Sequence, residues 1–217
     1  MIQLLAAPLT ATFLFTATPV HGVALEASAP VLSTVMAMPV AALIQQPERR
    51  LGEARTVTVQ FCRRIEDWSP FLTRFDPEVY TCIEIWADEQ PLWVEEQYDT
   101  PVARFFARKG TLTEATLMAA KTYDRLRLEV AVREMQAGRA WIEVTSAQWT
   151  DQQTPEGTLL HTIRALDMIE REGWAFALSE LERALRPDLP GHVRAQIEAI
   201  KSRCDRELNK QLFKTQD

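Results

Sequence analysis

From Thr56 to Cys62 apolar and polar residues alternate, so Val57, Val59 and Phe61 share one face while the polar residues and Cys62 share the other. That period of two predicts a half-buried strand. Val79 to Trp86 reads as a second strand, Asp88-Glu89-Gln90-Pro91 as a turn, and Leu92 to Glu95 as a third strand returning antiparallel. Between the first two, Ser69-Pro70 pairs a capping residue with proline at the first helical position, predicting a short helix to about Phe75 that Asp76-Pro77 ends. Thr100-Pro101 repeats this signal, predicting a helix to about Arg108 that stops near Gly110.

The stretch Thr113 to Gln136 changes character midway. Its first half is rich in Ala, Leu and Met, whereas Leu126, Leu128, Val130 and Val132 occupy every even position of the second half. A helix followed by a strand fits this better than one helix from Thr113 to Met135 ended by Gly138, which is the competing reading. A turn at Gln136 to Arg139 then leads into the strand Ala140 to Thr145, making a hairpin. Beyond Thr154-Pro155-Glu156 the period is helical throughout. Leu159, Ile163, Leu166 and Ile169 form one stripe; Trp174, Ala177, Leu178, Leu181 and Leu185 a second; Val193, Ile197, Ile200, Cys204 and Leu208 a third. Gly173 and the Pro187 to Gly191 segment separate them. These elements amount to an α+β domain: an antiparallel sheet with interspersed short helices, followed by a three-helix C-terminal region packed on it.

Ahead of the sheet the chain is apolar. From Met1 to Pro47 its only charged side chain is Glu26, and Leu4 to Phe15 has the length of a signal-peptide apolar region, with Gly22-Val23-Ala24 offering small residues for cleavage. No Lys or Arg precedes that run, so the usual positive flank is missing. The stretch Val31 to Ile44 contains Pro39 and falls short of the roughly 20 residues a membrane-spanning helix needs, which leaves a membrane-surface segment, a linker or a piece that packs on the domain as its readings. The expected organisation is therefore a signal-like segment over residues 1–24, an apolar linker over 25–50, a sheet domain over 51–150 and a helical region over 151–217. The expected location is periplasmic or secreted, with peripheral membrane contact through the N-terminal segment; a cytoplasmic protein is the alternative.

Charge narrows the partners. With 24 Lys and Arg against 30 Asp and Glu the formal net charge is -6, which lacks the cationic excess that displaces phosphate counterions, so no nucleic-acid partner is expected. Cys62, Cys82 and Cys204 form neither a CxxC pair nor a Cys/His cluster, and no metal site is expected. Cys62 and Cys82 lie in neighbouring predicted strands, where a disulfide and two buried thiols are equally good readings. Cys204, inside a helical stripe, reads as a core thiol.

Little points to catalysis, and neither a catalytic residue nor a cofactor is assigned. Histidine occurs only at positions 21, 161 and 192; there is no G-x-S-x-G elbow and no H-E-x-x-H, and seven glycines give no phosphate loop. The carboxylates Glu84, Asp88, Glu89, Glu95, Glu96 and Asp99 gather around the predicted hairpin, where a charged solvent edge that discourages aggregation is the simplest account. Tryptophan is the stronger signal. Of six, Trp86, Trp93 and Trp141 fall in or beside predicted strands, and on one face they would line an apolar groove for a ligand or a partner's peptide; the competing reading makes them core between sheet and helices.

The segment Ala177 to Pro187, with small Ala177 and Ala184 flanking Leu181, resembles the second helix of a tetratricopeptide repeat. The positions where the first helix of that repeat carries its aromatic and Leu-Gly signature hold His161, Arg164 and Ala165. One unit is visible, where such arrays need about three. What the resemblance implies is a helical surface that binds a partner. The expected function is thus that of an exported, non-catalytic binding or accessory protein of the cell envelope or secreted space, with a protein partner. The alternatives are a hydrolase whose site, for which the acidic hairpin and His161 are the nameable candidates, assembles only in the fold, and a carrier holding a small apolar ligand against the tryptophans.

Overall fold

A computed structural model describes residues 38–45, 47–69, 75–136 and 139–214. The first strand, β1 (Ala54–Ile65), follows the alternation read above: Val57, Val59 and Phe61 are buried in the main core. The other strands contribute by the same rule. From β2 (Tyr80–Ala87) come Ile83, Ile85 and Ala87; from β3 (Val102–Arg108), Phe105 and Ala107; from β4 (Arg125–Gln136), Leu126, Leu128, Val130 and Val132; from β5 (Arg139–Trp149), Ala140, Ile142 and Val144.

These five strands do not form an open antiparallel sheet. They close into a barrel in the order β1-β2-β3-β5-β4, with β4 pairing back onto β1. All neighbours are antiparallel except β3 and β5, which run parallel through Phe105 opposite Ile142 and Ala107 opposite Val144. Closure removes the unpaired edges that an open sheet of five strands would expose. Bulges sharpen the bend: the β1–β2 register shifts between Phe61 and Arg63, which makes Cys62 the extra residue there.

Two helices complete the barrel core. Helix α3 (Leu112–Ala119), capped by the Thr111 hydroxyl accepting from the Glu114 N–H, buries Leu117 in it. Helix α1 (Val40–Gln45) buries Val40 and Leu43 there, and Met38 bridges to Val57. The expected linker over residues 25–50 therefore ends earlier than the composition shift at Pro47 indicates, because residues from 38 onward belong to the barrel. The signal-like segment over residues 1–24 and the short helix from Pro70 lie outside the described residues, the latter apart from Phe75.

Two local expectations fail. Leu92 to Glu95 is not a strand but a turn leading into the short helix α2 (Glu95–Tyr98), and the helix expected from Thr100 to Arg108 is β3. The Thr100 hydroxyl donates to the Glu96 carbonyl at 2.8 Å, so it closes the preceding helix and caps nothing after Pro101. Pairing with β2 and β5 overrides the capping signal. The split of Thr113 to Gln136 into helix and strand, and the hairpin joining β4 to β5, are found as expected.

The C-terminal region is α4 (Glu156–Glu170), α5 (Trp174–Ala184) and α6 (Gly191–Lys214), with α5 packed between the other two. Ala177 and Leu181 of α5 join Leu159, Ala165, Val193, Ile197 and Cys204 in a second core. Cys62, Trp86, Leu92 and Trp93 of the barrel side belong to this same cluster, so the helices are welded to the outer face of β1 and β2.

Candidate functional site

The three tryptophans of the expected groove do not share a face. Trp86, Trp93 and Trp141 are 2%, 8% and 3% exposed. Trp86 and Trp93 lie in the cluster under the helices, whereas Trp141 lies in a third cluster with Phe75, Cys82 and Phe106. In that third cluster the rings stack on the outside of the barrel: Phe75 on Phe106 with centroids 4.4 Å apart, and Phe106 on Trp141 at 5.4 Å. Trp68 meets Phe106 edge-on at 5.6 Å and donates its indole N–H to the Phe75 carbonyl at 2.7 Å. The connection between β1 and β2 thus covers this aromatic face with its own side chains.

A groove does exist, at the seam between barrel and helices. About 370 Å³ in volume, it is walled by Leu92, Trp93, Glu95 and Tyr98 on one side, Leu159, Leu160, Ile163 and Glu156 on the other, with Tyr123 between them. Its foundation is Trp86. The Trp86 indole N–H donates to the Tyr98 carbonyl at 2.9 Å, its ring tilts against the Tyr98 ring at 5.2 Å, and it stacks on Tyr123 at 5.7 Å with the planes 7° apart. The two phenol oxygens are 3.4 Å apart.

Tyr123 is held in this place against its own backbone preference. It occupies a tight turn in which Asp124 N–H donates to the Lys121 carbonyl, and its φ is 77°, a conformation glycine adopts freely and a tyrosine does not. The turn is clamped to β1 by Tyr123 N–H donating to the Phe61 carbonyl, Phe61 N–H donating to that of Asp124, and the Thr122 hydroxyl donating to that of Cys62. Burial, then the Tyr98 hydroxyl and the Glu156 charge, push the Tyr123 phenol above its ordinary range, so it stays neutral at physiological pH.

The exposed part of the groove combines apolar side chains with the carboxylates of Glu95 and Glu156. Tyr98, Leu160 and Ile163 are 41%, 45% and 46% exposed. Ile163 was expected inside the first helical stripe, yet α4 buries Thr158, Leu159, Thr162 and Ala165 instead. The small residues of that face let α5 approach, and the Thr158 hydroxyl satisfies the Ala184 carbonyl at 3.0 Å. Reading the stripe missed Leu160 as a surface residue and Tyr123 altogether; a turn without glycine leaves no signal in sequence.

The remaining candidates have structural partners. Cys62 and Cys82 are both buried and lie in different clusters, Cys62 under the helices and Cys82 in the outer aromatic stack. Burial pushes the Cys62 thiol up to about 11, which makes it a poor nucleophile. His161 Nδ1 lies 2.7 Å from Glu180 Oε2, while Arg183 binds the other carboxylate oxygen at 2.9 Å. His161 and Arg183 together hold the Glu180 carboxyl below its usual range. The hydroxyls beside His161 on α4, Thr158 and Thr162, donate to backbone carbonyls, so this constellation latches α4 to α5 and presents no free nucleophile. Of the acidic residues, Glu84 pairs with Arg63 at 2.5 Å and Asp88 binds Arg125 through both oxygens at 2.6 and 2.7 Å, leaving Glu95 and Glu156 as the carboxylates that face the groove. Among the described residues no three His, Cys, Asp or Glu side chains converge as a metal site would require. His21 lies outside the described residues. No known family profile matches the chain, and no curated protein matches it in sequence.

Proposed function

We propose that this protein is an exported, non-catalytic binding module whose seam groove receives apolar side chains of a protein partner. The observation that carries the reading is the pair Leu160 and Ile163, roughly half exposed on α4 beside Tyr98, at the mouth of a groove whose other lining side chains, Glu95 and Glu156 apart, are apolar or aromatic. Apolar residues gathered around a concavity mark binding sites more reliably than the same residues scattered singly. The strained Tyr123 adds support, since strain persists where the surroundings over-determine it, and such places cluster at binding sites.

The barrel has the five-stranded Greek-key architecture of the oligonucleotide- and oligosaccharide-binding fold, whose ligands lie on the outer face of the second and third strands. A fold does not by itself assign a ligand. On this barrel that outer face carries Cys82 and Phe106, which are covered by Phe75 and Trp68 and flanked by Trp141 of β5, while Trp86 lies beneath the helices. Stacking platforms for bases have to be open, and backbone recognition needs a positive groove. A net charge of -6 opposes both uses and favours a protein partner at the seam.

A photo-crosslinking amino acid at position 163, with one at the fully exposed Leu112 as control, tests this in intact cells of the source organism. The expected result is one discrete adduct from position 163 that Leu160→Asp abolishes, in a protein recovered from the envelope or medium without its first 22 to 24 residues. Equal labelling from both positions, or labelling indifferent to Leu160→Asp, would overturn the groove reading. An uncleaved chain in the cytosol would overturn the export reading alone.

A further inference from the structure

The groove is apolar in its walls but not in its charge. Glu95 reaches it from the first turn of α2 and Glu156 from the first turn of α4, on opposite sides. Neither carboxylate has an ion-pair partner among the described residues, a state they share with Glu89, Glu96 and Asp99, whereas Glu84, Asp88 and Glu180 are paired. No Lys or Arg lines the groove. The rings of Trp93, Tyr98 and Tyr123 line the same groove, and the electron-rich face of an aromatic ring attracts a cation. A ligand cation entering the groove is attracted by both carboxylates while the rings take up its apolar stem.

Resting on the groove reading above, we propose that the occupant is a basic segment of a partner protein. One Lys or Arg side chain lies across the Tyr98 and Tyr123 rings with its head between Glu95 and Glu156, and apolar neighbours of that residue seat on Trp93, Leu160 and Ile163. The net charge of -6 acts in the same direction, drawing basic segments toward the surface.

Amide NMR titration of the full chain with three capped decapeptides separates this from the plain apolar reading. The peptides share one Leu/Ala frame and differ only at a central Lys, norleucine or Glu. The lysine peptide should bind roughly fivefold tighter than the norleucine peptide, with Glu weakest, and the shifts should centre on Tyr98, Tyr123 and Leu160. The double substitution Glu95→Gln with Glu156→Gln, both at exposed positions, should bring lysine and norleucine affinities together, and a lysine preference that survives it would overturn the proposal. Equal affinity of all three peptides for the unaltered protein would overturn the basic-residue proposal and leave the apolar groove standing. Absence of binding by all three at millimolar concentration would overturn both.

Discussion

Among the described residues, two other than glycine have positive φ, and they mean different things. Glu172, at 58°, follows the end of α4, where its N–H donates to the Ile169 carbonyl and the Gly173 N–H donates to that of Met168. This is the double hydrogen bond of a Schellman cap, displaced so that the glycine falls one residue past the left-handed position. No ligand geometry depends on Glu172, so Glu172→Gly is expected to raise stability in urea unfolding by about 0.5–1 kcal/mol. Tyr123 is strained for the sake of its ring. Tyr123→Ala keeps the strain and loses the stacking on Trp86, while Tyr123→Gly loses the stacking and relieves the strain. The glycine variant is therefore expected to be the more stable of the two by about 1 kcal/mol, the reverse of the usual order. The Cys62 thiol gives a pH signature. Burial raises its folded value from 9.0 to about 11, so the neutral thiol is favoured in the native state and the stability this confers is complete below 9 and lost as pH climbs toward 11. Cys62→Ala should flatten this alkaline limb in urea melts across that range, and iodoacetamide at pH 8 should leave Cys62 unmodified until the protein is unfolded.

At the scale of elements, the strands were legible where apolar and polar residues alternate, which holds in β1 even though its Gln60 and Cys62 are themselves buried. In β1 and β4 the alternation by itself placed every inward residue, and the competing single helix over residues 113–135 gave way to it. β3 was illegible because Phe105 and Phe106 are both buried, one inside the barrel and one in the outer aromatic stack, so its period of two vanishes. The capping signal at Thr100-Pro101 then pointed to the wrong element. α1 was missed for another reason: six residues bounded by prolines carry too little period to be told from linker. Its contribution to the core is measurable. Leu43→Ala is expected to destabilise the protein by about 2–4 kcal/mol in urea unfolding, whereas a true linker position would show a change near zero.

Across the whole molecule, barrel and helices share one interior. Cys62, Trp86, Leu92 and Trp93 enter the helical core, and the Asp88 that binds Arg125 also receives His192 of α6 on its carbonyl, 2.8 Å from Nε2. Urea unfolding followed by tryptophan fluorescence and by helical circular dichroism should therefore give one coincident transition. Two separated midpoints would mean that the helices fold independently of the barrel, and the seam groove would then be a junction of two movable parts.

What the sequence determined by itself was local: which residues alternate, where helices repeat, and that Cys204 and the centres of the second and third stripes, Ala177, Leu181, Val193 and Ile197, are buried. These follow from periodicity and composition, which act over a few residues. Closure of the sheet, the parallel pairing of β3 with β5, the separation of Trp141 from Trp86 and Trp93, and the meeting of Tyr98, Tyr123 and Ile163 in one groove were decided only by the tertiary structure. Each joins residues far apart in the chain through registers and bulges that leave no mark on any short stretch of sequence, so packing alone selects them.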